Sequence, residues 1–181
     1  MRAPASVLLS LLALFLLTAC GGDDVADDPK LSDQGKEIVK VVGGPFTADE
    51  FDKFLADLPE IPGLTAERMQ DVGDGSDADL TQAAIDAVKA RGWDEQRFMY
   101  IYSHTMTMMN LDQMQRVAEQ MQDQFKDMPE DQRKAMEQMM GQQLGSQMEA
   151  VRNEVDKQVP SSEQALVRDN MVRLHTALGL D

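Results

Sequence analysis

Cysteine is almost absent from this chain: of its 181 residues only Cys20 carries a thiol. A lone cysteine excludes intrachain disulfides, a thiolate metal cluster and a Cys-x-x-Cys redox pair. Aromatic residues make up 5% of the chain and histidines number two, His104 and His175. Neither histidine lies in a nucleophile elbow, an H-E-x-x-H pair or a glycine-rich phosphate loop, so no catalytic site assembles from the sequence and the chain is expected not to be an enzyme. Positive charge is in deficit, with 17 Lys and Arg against 32 Asp and Glu and a formal net charge of -15. Such a surface repels phosphate backbones, which excludes nucleic acid as a partner and leaves basic partners or cations.

The N-terminal segment MRAPASVLLSLLALFLLTAC carries one positive charge, at Arg2, and an apolar run from Val7 to Leu17. That run is shorter than the roughly 20 residues a permanent span requires, and with its charged front and small-residue exit it reads as a signal peptide over residues 1–19. Its last four residues, Leu17-Thr18-Ala19-Cys20, resemble the lipobox of bacterial lipoproteins. The resemblance implies that Cys20 is the lipid attachment residue and the first residue of the mature chain. Acyl chains of the palmitate kind then anchor it, each buried methylene contributing about 0.8 kcal/mol. Gly21 rather than aspartate after the acceptor implies, under enterobacterial sorting, the outer membrane and a periplasm-facing domain. Residues 20–29 are acidic and poor in apolar groups, a tether. Residues 30–181 are expected to form a single all-α periplasmic domain.

Scarce strand formers and abundant Met, Gln, Ala and Glu dictate helices. A short amphipathic helix fits Leu31 to Val42, stopped by Gly43-Gly44-Pro45, and a second starts at Thr47-Ala48-Asp49-Glu50, a capping-box pattern, with Phe51, Phe54, Leu55 and Leu58 on one side. Pro59 and Pro62 mark a turn, and Thr65 is placed to cap a short helical piece. The aspartate-rich stretch 71–80 fails the EF-hand register and reads as a loop ending in a helix cap. Ala84, Ile85 and Val88 then form a stripe, Gly92 occupies a left-handed cap position, and Trp93 plugs the corner.

From Asp94 to Phe125 neither Pro nor Gly occurs, so one long helix, about 94–127, is expected, continuous through Asn110. Phe98, Ile101, Tyr102, Thr105 and Met109 share one side of it, while Met114, Val117, Ala118, Met121, Phe125 and Met128 share another. Asp127-Met128-Pro129-Glu130 starts the partner of an antiparallel helical hairpin, about 130–158. Met136, Met140, Leu144, Met148, Val151, Val155 and Val159 would face the first helix, with Gly141 and Gly145 either permitting close approach or loosening the helix. A last helix opens at Pro160-Ser161-Ser162-Glu163, carries Leu166, Val167, Met171, Leu174 and Leu178 into the core, and ends at Gly179. The expected architecture is an all-α helical bundle.

The stretch HTMTMMNLDQM, residues 104–114, puts a histidine and four methionines into eleven residues. Thioether sulfur suits Cu(I) and Ag(I), so His104, Met106, Met108 and Met109 form a candidate site for a copper or silver ion. Helical geometry divides them: Met109 falls on the Phe98 stripe, and His104 falls near the opposite side, leaving His104 with Met108 as half a site. Unbranched methionine also serves as adaptable core filler at the apolar period, the reading favoured for Met114, Met121, Met128, Met136, Met140 and Met148. The sequence thus supports a membrane-anchored, non-enzymatic helical module that binds a protein or peptide through a Met-rich groove, needing no cofactor. A Cu(I)/Ag(I)-binding protein and a purely structural envelope lipoprotein are its rivals.

Overall fold

A computed structural model describes residues 27–65, 77–125 and 129–180, and among these residues there are seven α-helices and no strand. They are α1 (Asp33–Val41), α2 (Ala48–Asp57), α3 (Asp77–Ala90), α4 (Glu95–Phe125), α5 (Glu130–Gln158), α6 (Ser161–Asp169) and α7 (Met171–Leu178), with a 3-10 turn at Leu58–Glu60 after α2. The all-α expectation therefore holds. The signal segment, Cys20 and most of the aspartate-rich 71–80 stretch lie outside the described residues.

Local chemistry explains most boundaries. The Ser32 side chain accepts from the Gly35 N–H and starts α1, and Gly43 and Gly44, both at positive φ, reverse the chain after it. Thr47 and Glu50 form the full capping box at α2, each side chain satisfying the other's backbone N–H. Gly92, at φ 75°, closes α3. The Asp94 side chain then accepts from the Arg97 N–H at 3.0 Å and opens α4. That helix runs unbroken through Asn110.

Two boundaries differ from the sequence reading. The last helix is divided: the chain breaks at Asn170, whose φ of -112° and ψ of 16° leave helical space, and α7 restarts at Met171. The Asn170 side-chain amide bonds back to the Leu166 carbonyl and its oxygen accepts from Arg173, so the break is held by side-chain bonds. At α5, Pro129 occupies the position before the first helical residue instead of a place inside the first turn.

The core is built on α2 and the first half of α4. Phe51, Phe54, Leu58 and Ile61 are completely buried, as are Phe98 and Ile101. A file of rings runs through it: Phe46 stacks on Phe51 at 5.5 Å, Phe51 on Phe54 at 5.9 Å, Phe54 meets Phe98 at 5.3 Å, and Trp93 meets Phe98 edge-on at 5.7 Å. Val167, Met171, Leu174, Ala177 and Leu178 close it from α6 and α7, and Val155 and Val159 from the end of α5.

The methionine-rich hairpin is not where the core lies. The opening turns of α4 and the closing turns of α5 line one cavity, so the two helices run in opposite senses. Beyond Leu111 and before Val155 no described side chain is fully buried: Met114, Met121 and Met148 are half-buried, and Val117 is 48% exposed. The expectation of Met114 and Met121 as core filler is corrected accordingly. Two helices packed on each other cannot by themselves enclose a side chain between them, which fits the half-buried state of Met114 and Met121. The side chains of Phe125, Met128, Met136, Met140 and Leu144 lie outside the described residues. From Asp112 to Phe125 the arm extends α4 by about 21 Å at 1.5 Å per residue.

Candidate functional site

Where the arm joins the body, three polar side chains meet inside the protein. Tyr100 and His104 are one turn apart on α4, and their rings contact at 4.1 Å between centroids. Glu163, in the first turn of α6, is completely buried between α4 and the Pro45–Phe46 loop. One carboxylate oxygen of Glu163 accepts from the Phe46 N–H at 2.9 Å and the Tyr100 hydroxyl at 2.6 Å. The other lies 2.6 Å from Nδ1 of His104. A buried carboxylate is costly unless its lone pairs are met by donors, and here the backbone, a phenol and an imidazole supply them, with the positive end of α6 adding to the field. Burial, followed by the adjacent Glu163 charge, pushes the Tyr100 phenol well above its ordinary range, so it remains a protonated donor.

Arg97 fastens the neighbouring loop. Its guanidinium forks onto both carboxylate oxygens of Glu50, at 2.9 and 2.8 Å, and donates to the carbonyls of Val42, Gly44 and Pro45. The positive-φ glycines turn those carbonyls inwards, so one side chain holds the α1–α2 connection against α4. Burial works against ionisation of Glu50, but the bonds from Arg97 and the Thr47 N–H outweigh it and hold the carboxyl below its ordinary value. At the far corner Asp57 plays a similar part, accepting from Trp93 Nε1 and Lys53 Nζ, both at 2.8 Å.

Two hollows flank this region. One, of about 480 Å³, lies between α3 and the start of α4 and is lined chiefly by Leu64, Leu80, Ile85, Val88 and Phe98. The other, of about 800 Å³, lies between α1, the first turns of α4 and the last turns of α5, and His104 is part of its wall.

The soft-metal candidates are distributed as follows. His104 is 9% exposed and faces Glu163, so its side of α4 is buried as well as the Phe98 stripe. Met108 is buried in the core, and Met106 and Met109 are half-buried against it. Nδ1 of His104 is engaged by Glu163, so Nε2 is the ring nitrogen open to a ligand. Among the described residues no group of three His, Cys, Asp or Glu side chains is gathered for a metal ion, and no helix is long and apolar enough to cross a membrane. His175 stands in the last turn of α7.

Glu163, Tyr100 and Arg97 were not singled out by the sequence reading. A signal existed for the first. Glu163, Val167, Met171 and Leu174 repeat at spacings of four, four and three, which puts a carboxylate on the buried stripe of the last helices. Its place in a helix-start pattern gave it an ordinary explanation as a first-turn acid. For Arg97, only the paired glycines ahead of it hinted at a loop that needs a cation to gather its carbonyls.

Comparison of the chain with protein-family models, with curated proteins and with solved structures finds no match.

Proposed function

We propose that the chain is a membrane-anchored, non-enzymatic interaction module of the cell envelope, held through a lipid on Cys20 at the outer membrane and facing the periplasm, whose two-helix arm takes an amphipathic, basic segment of a partner protein or peptide. The observation that carries this reading is the half-exposed methionine face of the arm. Seven of the 14 methionines fall between Asp112 and Glu154, and the three of them whose side chains are described, Met114, Met121 and Met148, are half-buried. A structural strut needs no such excess of soft, repackable side chains, whereas a surface that adapts to apolar side chains of a partner does. The formal charge of -15 favours a basic partner.

Titrating the full chain with a synthetic basic amphipathic helical peptide tests the reading. Saturable binding is expected, weakened about tenfold or more by the triple substitution Met114→Gln, Met121→Gln, Met148→Gln. Unchanged affinity in that variant rejects the arm as the binding surface. The anchor is tested separately by cell fractionation: Cys20→Ala should abolish membrane association or maturation, and a variant that still matures and stays with the membrane removes the lipid from the account.

A further inference from the structure

The hollow beside His104 has a built recognition point that the arm reading does not use. We propose that it binds a small organic cation carrying N–H donors, a primary or secondary ammonium, with Nε2 of His104 as the acceptor at its base.

The chemistry follows from the hydrogen-bond pattern. A carboxylate can only accept, and Glu163 already takes the Phe46 N–H and the Tyr100 hydroxyl, so an imidazole bonded to it as a carboxylate carries its hydrogen on Nδ1. In the neutral ring Nε2 is then a lone pair, without a partner among the described residues, on a side chain nine-tenths buried in the cavity wall. The Tyr100 ring at 4.1 Å and the Glu163 bond fix the imidazole plane, so the lone pair is pre-aimed. A latch between helices has no need of a second nitrogen turned to an open space.

Charge selects the ligand. The ionisable groups facing the ring are Glu163 from α6, Tyr100 from α4, and Glu154 and Lys157 from the end of α5; α1 lines the cavity with none. Lys157 is spoken for by Glu154 at 3.4 Å, so the Glu163 charge stands without a compensating cation when His104 is neutral. Gln34, Gln96 and Gln158 add amide oxygens, and Ile38 and Met99, 46% and 50% exposed, form an apolar margin for an alkyl body. At about 800 Å³ the cavity is within the range of small-molecule sites.

The test uses the full chain in non-ionic detergent, labelled with ¹⁵N-histidine, and follows the His104 Nε2 resonance on addition of n-butylammonium, choline or butyrate. Expected is a saturable shift with n-butylammonium, and none with choline, which has no N–H, or with butyrate. His104→Asn is the matching variant, since its amide stands near the Nδ1 position and continues to donate to Glu163 while nothing replaces Nε2. It should bind n-butylammonium about tenfold more weakly. No shift with n-butylammonium, an equal shift with choline or butyrate, or undiminished binding by His104→Asn overturns the proposal. If the variant does not fold, the three ligands on the unsubstituted chain still decide it.

Discussion

Nδ1 of His104 lies 2.6 Å from a carboxylate oxygen of the completely buried Glu163, joining α4 to α6 across 59 residues of chain. The same carboxylate also receives the Phe46 N–H, so a single side chain closes the N-terminal loop, the long helix and the C-terminal pair of helices onto one another. Glu163→Ala should therefore cost about 3–5 kcal/mol, because three donors lose their acceptor in an interior that water does not reach. Glu163→Gln should cost distinctly less: its carbonyl can keep Phe46 and Tyr100, while its amide obliges His104 to move its hydrogen from Nδ1 to Nε2. Chemical denaturation measures the difference, and ring ¹⁵N shifts report the tautomer. Equal losses for the two variants would contradict the network.

Two glycines make opposite predictions. A Cβ on Gly35 would stand 2.5 Å from the Lys157 carbonyl oxygen, and that carbonyl already takes the Ser32 N–H and hydroxyl. Neither backbone can yield cheaply, so Gly35→Ala should destabilise by about 1–3 kcal/mol by prising α1 from α5. At Gly145 a Cβ meets nothing, and the residue is mid-helix on the arm. Gly145→Ala should stabilise by about 0.5–1 kcal/mol through the entropy of the unfolded chain. Melting temperatures of the two variants should move in opposite directions, and a loss at Gly145 would mean that the arm needs the close approach after all.

Acid should weaken the fold through identified carboxylates. Burial opposes ionisation of Asp57, yet the bonds from Lys53 and Trp93 outweigh it and place its carboxyl, like that of Glu50, below the ordinary value. A folded pKa below the unfolded one gives stability that is complete above the unfolded values, 4.5 for Glu50 and 3.8 for Asp57, and is lost as pH falls through the lowered folded values. Urea unfolding between pH 7 and pH 3 should show this decline, and Asp57→Asn should be less stable at neutral pH with a flatter acid limb. A parallel curve for the variant would show that Asp57 is not among the groups responsible.

How far the fold can be read from sequence depends on how local the cause is. Thr47 with Glu50, Gly92 and Gly179 act within one turn of chain, and the helix ends they mark match the structure. The all-α class follows from composition in the same way. The interior of α4 is different: the expected stripe of Phe98, Ile101 and Thr105 is buried, but burial extends beyond it to Tyr100, His104, Met108 and Leu111. Periodicity alone cannot say that a histidine belongs inside, since that depends on a carboxylate 59 residues away. The status of the methionines was equally out of reach: Met114 and Met121 repeat with the apolar period whether or not a third helix covers them, and only the fold shows them half-buried.

Hydrogen exchange of the full chain with and without the basic amphipathic peptide is the measurement that tests the arm most directly. Amides between Asp112 and Phe125, and between Gly145 and Glu154, lie in segments where no described side chain is fully buried, so in the free chain they should exchange faster than those of α2 and the first turns of α4. Bound peptide should slow exchange in both arm segments while leaving α2 and α7 unchanged. Slow exchange of the arm in the free chain with no further protection on peptide addition, or protection confined to the body, would contradict the assignment of the arm as the binding surface.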